Sequence, residues 1–236
     1  MNPMLFAAAA AGANVVGALA VTSRRTWSTR SLELLIALSA GFLISVSLAD
    51  IIPTAIVAGG ERSALIVLGG FLVVHLTQHA LVGHFHFGEE THQVSGRVRV
   101  SALAGLLLHT FFDGVAIASA FMVGVELGVL VFVAIFLHKL PEGLAISSLT
   151  LAAGGSRRAA LGAAALLGVA TLAGALITGA SVTLARYGLA LSGGVTLYVG
   201  GSNLIPEFQG KAGWSHNAAF FGGCGLYFAA RAVARG

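Results

Sequence analysis

The amino-acid sequence predicts an all-α integral membrane protein with eight transmembrane helices. Hydrophobic residues make up 57% of the 236 positions and charged residues only 9%. A soluble domain is typically about 25% charged, so this chain has too little polar surface to cover a water-soluble globule. The apolar residues also come in long continuous runs, whereas the strands of a membrane barrel alternate between polar and apolar residues.

A transmembrane helix needs about 20 mostly apolar residues, and eight segments meet that requirement. The first has no basic residues before it and is followed by Arg24 and Arg25, which is the reverse of a cleaved signal peptide. No other stretch resembles a linker, so 1–236 is expected to form a single transmembrane domain. The predicted helices cover 4–22, 32–58, 64–83, 99–123, 127–152, 159–183, 189–209 and 217–234.

The Lys and Arg residues between these helices predict the orientation. One side carries eight of them and the other four, and the positive-inside rule assigns the richer side to the cytoplasm. Both termini are then expected outside the plasma (inner) membrane. The eight are Arg24, Arg25, Arg30, Arg97, Arg99, Arg157, Arg158 and Lys211, and the four are Arg62, Arg186, Arg231 and Arg235.

A polar loop over about 84–98 lies on the cytoplasmic side in this orientation. A short His-rich tract of this kind indicates loose metal binding, although an ordinary solvated loop has a similar composition. The candidate residues of the loop are His84, His86, Glu89, Glu90 and His92.

Two copies of the motif H-x-x-x-[DE]-G-[VL]-A-I-x-S lie in the fourth and fifth predicted helices. They begin at His109 and His138, 29 residues apart. Consecutive helices cross the membrane in opposite directions, so the copies form an inverted repeat, which often surrounds a substrate site near the bilayer midplane. At 1.5 Å per residue both histidines lie roughly 15–17 Å from a membrane surface, near the middle of a core about 30 Å thick.

The spacing within each motif brings a histidine and a carboxylate together. His109 and Asp113 share one helix face, and His138 and Glu142 share another. Two imidazoles and two carboxylates suit Zn²⁺, with Fe²⁺, Mn²⁺, Co²⁺ or Cd²⁺ as alternatives. Each unpaired charge at the bilayer centre costs about 2.5–3.5 kcal/mol, so packing alone does not explain these residues. Pro141 has no N–H, so we expect a kinked helix with a carbonyl freed near the site.

A shorter repeat, [DN]-x-I-P, occurs in the second and seventh predicted helices. It begins at Asp50 and at Asn203. These two helices are placed symmetrically about the fourth and fifth, which predicts a 3+2+3 arrangement with helices 1–3 inverted onto helices 6–8. So short a match also arises by chance, so it supports this arrangement without deciding it.

Further polar residues mark a candidate pathway to and from the site. Asp50, near the outer end of the second helix, would attract cations at an entrance, or is simply a helix-end carboxylate in water. The other residues would together form an exit path, although each alone is more typical of an interhelical hydrogen bond. The candidate pathway residues are Asp50, His75, Gln78, His79, Asn203 and Glu207.

At its paired motifs the sequence resembles the ZIP (Zrt/Irt-like) family of metal transporters. HTFFDGVAIA, from His109, is similar to the family's fourth-helix motif H-N-x-x-[DE]-G, and HKLPEGLAI, from His138, is similar to its fifth-helix motif [HQ]-[ENDK]-x-P-[EH]-[GE]. The resemblance covers most of the chain. It implies movement of Zn²⁺ or a related divalent cation, as transported substrate, into the cytoplasm. It also implies a primary metal site formed by His109, Asp113, His138 and Glu142.

The chain departs from the many family members that hold a second metal ion. Thr110 stands where Asn is common, and Lys139 stands where an acid or amide often supplies a ligand. The resemblance therefore implies a single-metal site. Lys139 precedes Glu142 by three residues, so its ammonium is expected to approach that carboxylate and take the second metal's place. The alternative is that Lys139 snorkels or faces a water-filled cavity.

An intramembrane metal-dependent hydrolase is the alternative function. The sequence has neither H-E-x-x-H nor G-x-S-x-G, and motif repetition across antiparallel helices suits alternating access better than catalysis. We therefore predict a transporter and not an enzyme, with the lipid bilayer and a divalent cation as its partners. The net charge of +4 comes from scattered basic residues, so no nucleic-acid partner is expected. Whether the chain forms a homodimer is left open by the sequence.

Overall fold

The structure, a computed structural model, describes residues 1–23, 29–80 and 96–235. Within those ranges the regular elements are all helical, which confirms the predicted all-α class. The five loop residues His84, His86, Glu89, Glu90 and His92 lie outside the described residues. Among the residues that the structure describes, five helices are long and apolar enough to cross a membrane: Pro3–Thr22, Arg30–Gly59, Leu103–Val123, Val125–Ala152 and Arg157–Ala180.

Each predicted segment corresponds to a helical rod. A π-helical segment, Ser47–Ile51, joins α2 to α3, and a second, Val199–Leu204, extends α8 into the 3-10 turn Ile205–Glu207. The α-helices are α1 Pro3–Thr22, α2 Thr29–Val46, α3 Ile52–Gly59, α4 Glu61–Ala80, α5 Gly96–Val123, α6 Val125–Ala152, α7 Arg157–Ala180, α8 Val182–Tyr198 and α9 Ser215–Arg235.

The largest boundary difference concerns the seventh predicted helix. Its helical rod begins at Val182, seven residues before the predicted start at 189. The predicted start is late because Arg186 and Tyr187, a polar pair near the beginning of the helix, interrupt the apolar run. The guanidinium of Arg186 stacks on the ring of Tyr187 with 5.2 Å between its carbon and the ring centroid. Such a pair is compatible with a helix end at a membrane surface.

Single residues connect three of the helix pairs. Gly60 joins α3 to α4, Gly124 joins α5 to α6, and Ser181 joins α7 to α8. Gly60 has a φ of 67°, which glycine adopts without steric cost. Ser181 caps α8 by accepting a hydrogen bond from the Leu184 amide. We call the end of the molecule with these tight connections the hairpin end. The opposite end, which carries Thr22 and the loop over 208–214, is the loop end.

The helices pack as two bundles. The first contains α1, α5, α6 and α7, in which α1 packs along α6 and α5 along α7. The second contains α2, α3, α4, α8 and α9, in which α2 packs along α9 and α4 along α8. The two bundles meet where α5 contacts α8 and where α6 contacts α2.

Glycines allow the paired helices to approach until one backbone touches the other. A Cβ at Gly143 of α6 would overlap the Asn14 carbonyl of α1, and a Cβ at Gly114 of α5 would overlap the Thr171 carbonyl of α7. Small residues at such contacts are typical of membrane helix packing. Equivalent contacts occur between Gly17 and Leu140, Gly174 and Phe111, Gly41 and Phe220, Gly194 and Val67, Gly223 and Leu38, and Gly70 and Leu191.

A large cluster of buried apolar side chains lies mostly in the hairpin half of the molecule, and a smaller cluster lies in the loop half. In the larger cluster, side chains from α5 and α6 are almost completely buried against the π-helical segment of the second bundle and against α8. These side chains pack on the hairpin side of the two motifs that begin at His109 and His138. The larger cluster includes Val46, Ile51, Ala116, Ile117, Ala120, Leu130, Val131, Ala134, Leu189 and Val195.

Candidate metal centre

Four metal-ligating side chains meet between α5 and α6. His109 and Asp113 extend from one face of α5, and His138 and Glu142 extend from one face of α6, as their four-residue spacings require. One potential ligand atom from each residue lies within 4.8 Å of the others. None of the four residues is more than 5% exposed. The structure therefore brings together the four residues that the sequence singles out as metal ligands.

One oxygen of Asp113 lies at the centre of this cluster. Its Oδ2 is 3.3 Å from His109 Nε2, 3.4 Å from His138 Nε2 and 2.6 Å from Lys139 Nζ. The two imidazole rings lie close together, with 5.4 Å between their centroids. The histidine nitrogens and the aspartate oxygen are thus directed at a common point.

Lys139 is fully enclosed and contacts both carboxylates. Its Nζ lies 2.8 Å from Glu142 Oε2 in addition to the contact with Asp113, and the residue has 0% exposure. The alternative that Lys139 snorkels or faces a water-filled cavity is therefore wrong. Thr110 is equally buried, but its hydroxyl donates to the Leu107 carbonyl of its own helix at 3.1 Å.

The hydrogen bonds around the histidines leave ligand atoms free for a cation. His138 Nδ1 lies 2.9 Å from the Ala134 carbonyl, an acceptor to which a neutral ring donates, and this leaves Nε2, 3.4 Å from Asp113 Oδ2, as the nitrogen that could bind a cation. Metal-binding histidines are typically oriented by such a bond from their other nitrogen. His109 Nδ1 and Glu142 Oε1 are buried and have no hydrogen-bond partner among the described residues. Buried polar atoms are costly without a partner, so this donor set fits a bound cation.

A narrow cavity of about 30 Å³ adjoins the cluster on its loop-end side. Leu106, which precedes His109 on α5, and Pro141 and Glu142, which follow His138 on α6, contribute to its wall. Asn203 lines it from the second π-helical segment. A water needs roughly 10–15 Å³ measured in this way, so the cavity admits about two or three waters.

Pro141 frees the backbone carbonyl of Leu137, four residues earlier in α6. That carbonyl accepts a hydrogen bond from the Ser39 hydroxyl of α2 at 3.1 Å, across the interface between the bundles. Ser192 of α8 makes a similar contact, 3.4 Å from the Phe112 carbonyl of α5. The missing N–H of proline signals that a donor is needed, but nothing in the sequence identifies Ser39 as that donor.

Asp50 is buried in the first π-helical segment, in the hairpin half of the molecule, with 4% exposure. Its carboxylate accepts a hydrogen bond from Tyr227 at 2.6 Å and lies 3.1 Å from a terminal nitrogen of Arg231. The alternative of a helix-end carboxylate in water is therefore wrong. Arg231, which the orientation count places in an outer connection, lies within α9.

The other predicted pathway residues are dispersed. Asn203 lines the cavity beside the metal-ligating cluster. His75 is exposed on α4 with its ring centroid 5.8 Å from that of Tyr198, Gln78 is half-buried, and Glu207 is buried in the 3-10 turn. The side chain of His79 lies outside the described part of the molecule.

A second polar cluster, absent from the sequence-based predictions, lies at the loop end. Glu33, near the start of α2, forms an ion pair with Lys211 and lies 3.0 Å from His216 Nε2 at the start of α9. Lys211 is partly exposed, so this cluster is separate from the enclosed site between α5 and α6. It connects the loop over 208–214 to the first turns of α2.

The chain is similar to a known protein family over much of its length. The family model described as "ZIP Zinc transporter" matches residues 86–230, which is more than half of the chain and includes all four candidate metal ligands. The chain belongs to the ZIP zinc transporter family. The resemblance found at the paired motifs is thereby confirmed. ZIP proteins are membrane transporters, so the prediction that the chain is not an enzyme is confirmed as well.

Two curated relatives are each named "Zinc transporter ZIP6", one from Pongo abelii and one from Homo sapiens. Each is 32% identical to this ZIP-family chain over 123 residues. The match covers 50% of the chain but only 16% of the Pongo abelii protein and 15% of the human one. The chain thus corresponds to a limited part of these longer relatives.

Proposed function

We propose that this ZIP-family chain transports divalent cations across the plasma (inner) membrane into the cytoplasm. Zn²⁺ is the favoured substrate, with Fe²⁺, Mn²⁺, Co²⁺ and Cd²⁺ as alternatives. The enclosed cluster of His109, Asp113, His138 and Glu142 carries this proposal, because borderline divalent cations prefer imidazole and carboxylate ligands. The printed name of the two relatives favours zinc.

We further propose that eight transmembrane helices form a 3+2+3 arrangement of inverted repeats. The glycine contacts support it, since each contact in one repeat has a counterpart in the other. A shift of 157 positions relates α1 to α7, and a shift of 29 positions relates α5 to α6. Together the two shifts turn the contact between Gly17 and Leu140 into the contact between Gly174 and Phe111. Random packing would not preserve this register.

The second bundle supports the same arrangement. A shift of 153 positions carries the contact of Gly41 with Phe220 onto the contact of Gly194 with Val67. The same shift carries Asp50 onto Asn203, and both lie in π-helical segments. The [DN]-x-I-P repeat therefore corresponds to a shared local structure.

The proposed orientation places both termini outside and the loop end in the cytoplasm. The cavity that adjoins the metal-ligating cluster on its loop-end side would then lead towards the cytoplasm. The packed core of the hairpin half would close the outer side. The structure would thus correspond to a state in which the site communicates with the cytoplasm.

A cation reaching the site would exchange water for two imidazole nitrogens and two carboxylate oxygens. Movement of the first bundle relative to the second would then expose the site to alternate sides of the membrane. We propose that Lys139 occupies the space of a second ion, so that each chain holds one transported ion. Elemental analysis of the zinc-loaded protein measures the number of zinc ions per chain directly. The role of Asp50 in attracting cations at an entrance stays a prediction. In this conformation its carboxylate is paired with Arg231.

The experiment that tests the site is radioactive zinc uptake into proteoliposomes that contain the purified chain. His138→Ala and Asp113→Ala should each lower the initial rate by at least about tenfold, since loss even of a residue that orients a metal ligand commonly costs 10–100-fold. His216→Ala and Glu61→Ala remove a buried histidine and an exposed carboxylate away from the site and should retain uptake. Unchanged uptake in both site variants would remove the assignment, and competing cations would rank the substrates.

A further inference from the structure

The ammonium of Lys139 takes the position of a small cation between two carboxylates. It lies 2.6 Å from Asp113 Oδ2 and 2.8 Å from Glu142 Oε2, within normal hydrogen-bond distance of both. The side chain is among the largest of the fully buried ones in the described part of the chain. Its stem is held by packing, so the charge stays with the site rather than reaching solvent.

The ammonium changes the net charge that the site carries in each state. The two carboxylates contribute −2 and the lysine +1, so the metal-free site carries −1, and a bound divalent cation brings it to +1. A site without the lysine would carry −2 when empty and 0 when loaded. The imidazoles are neutral when they act as metal ligands and do not alter this comparison.

The energetic consequence falls on the empty site. The cost of holding a net charge in a medium of low dielectric constant grows with the square of that charge. Charges of −1 and +1 give both states a similar cost, whereas charges of −2 and 0 would place a fourfold larger cost on the empty state alone. A carrier must move its empty site back after each delivery, so this state limits net transport.

We propose that Lys139 serves as a resident substitute cation that allows the metal-free site to return across the membrane without a counter-moving ion. This inference rests on the proposed transport function. It makes the chain a uniporter, in which each zinc moves two positive charges and no proton, sodium or potassium ion is exchanged for it. The role is distinct from ligation, because it concerns the half of the cycle in which no metal is bound.

Two zinc fluxes separate the two halves of the cycle. Exchange of external radioactive zinc for unlabelled zinc inside proteoliposomes needs only the loaded site to cross. Net uptake into zinc-free vesicles also needs the empty site to return. Lys139→Met keeps the approximate length of the side chain and removes its charge, so it should lower net uptake at least tenfold more than it lowers exchange.

Matched variants isolate the effect of the charge. Lys139→Arg retains a cation and should bring the ratio of net uptake to exchange back towards that of the unmodified chain. Lys211→Met makes the same substitution at the lysine that pairs with Glu33 at the loop end and should leave the ratio unchanged. Gel filtration in detergent shows whether each variant is folded.

A further measurement on the unmodified chain needs no folded Lys139→Met protein. Charge movement recorded together with zinc flux should give two elementary charges per zinc, with or without ions on the opposite side. A ratio of one, as exchange for one proton would give, overturns the proposal. Equal losses of exchange and net uptake in folded Lys139→Met, or no loss of either, overturn it too. Absence of both fluxes in the unmodified chain would instead contradict the proposed transport function.

Discussion

At the scale of single residues, the contact between Ser39 and Leu137 links the metal-ligating helix to the second bundle. Pro141 leaves the Leu137 carbonyl without its helical donor, and the Ser39 hydroxyl lies 3.1 Å from that oxygen. The same hydroxyl lies 2.7 Å from the Leu35 carbonyl of its own helix. One proton serves two acceptors, so Ser39 has a second partner within α2 whenever the interface between the bundles separates.

Ser39→Ala should destabilise the protein by about 1–3 kcal/mol, because it leaves the buried Leu137 carbonyl without a donor. Ser45→Ala is the matched control, since its hydroxyl bonds to the Gly41 carbonyl of its own helix. In a Pro141→Ala background, the restored N–H satisfies Leu137, so the effect of Ser39→Ala should largely disappear. Thermal unfolding in detergent measures the stability of these variants. If Ser39→Ala costs the same with and without Pro141→Ala, Ser39 is not the donor to the Leu137 carbonyl.

The contents of the site were predictable to the extent that they depend on spacing within one helix. The four-residue separations place His109 with Asp113 and His138 with Glu142, and the three-residue separation places Lys139 near Glu142. The contact between Lys139 and Asp113 was not predictable, because it depends on the register between α5 and α6. The same limit applies to Asp50, whose partners Tyr227 and Arg231 lie about 180 residues away in the chain.

At the scale of elements, the apolar runs predict where the rods lie but not their internal form. The run over 32–58 is continuous in hydropathy, yet it contains the π-helical segment Ser47–Ile51. There the Ile52 amide donates to the Ser47 carbonyl, one residue further back than in an α-helix, directly before Pro53. The Ile205 amide donates to the Gly200 carbonyl in the same way, directly before Pro206. Proline has no backbone N–H to donate, and a π-helical turn precedes the proline at both positions.

The glycine contacts make a prediction for helix packing. Gly17→Ala places a methyl group against the backbone of α6 at Leu140 and should destabilise the protein by about 1–3 kcal/mol, as overpacking does. Gly12→Ala on the same helix meets no atom within 4 Å and should be neutral or stabilising by up to about 1 kcal/mol. Thermal unfolding in detergent compares the two.

The repeat extends this prediction to the other half of the molecule. Gly174→Ala in α7 meets the Phe111 carbonyl of α5, the counterpart of the contact made at Gly17, and should cost about as much as Gly17→Ala. A cost at Gly17 without one at Gly174 would show that the two contacts are not equivalent, and the inverted-repeat proposal would lose its main support.

At the scale of the whole molecule, the two halves that we propose as inverted repeats differ in charge. The hairpin half holds the ion pair of Asp50, which is buried, and Arg231, whose side chain is partly exposed. A shift of 153 positions places Asn203 and Gln78 at the equivalent points in the other repeat, and neither can carry a charge. Within the described residues, the cavity beside the cluster of candidate metal ligands is lined by Asn203 and not by Asp50. Side-chain differences of this kind allow a symmetric backbone to favour access from one end.

The orientation of this asymmetry in the membrane is open to direct test. The chain has one cysteine, Cys224, so Cys224→Ser provides a parent without reactive thiols. Val182→Cys places a thiol at the hairpin end, where the residue is 87% exposed, and Trp214→Cys places one at the loop end, where it is 75% exposed. With the termini outside, a membrane-impermeant maleimide added to intact cells should label Val182→Cys, and it should label Trp214→Cys only after the membrane is permeabilised. The reverse pattern would invert the proposed orientation, and the cavity would then face the exterior.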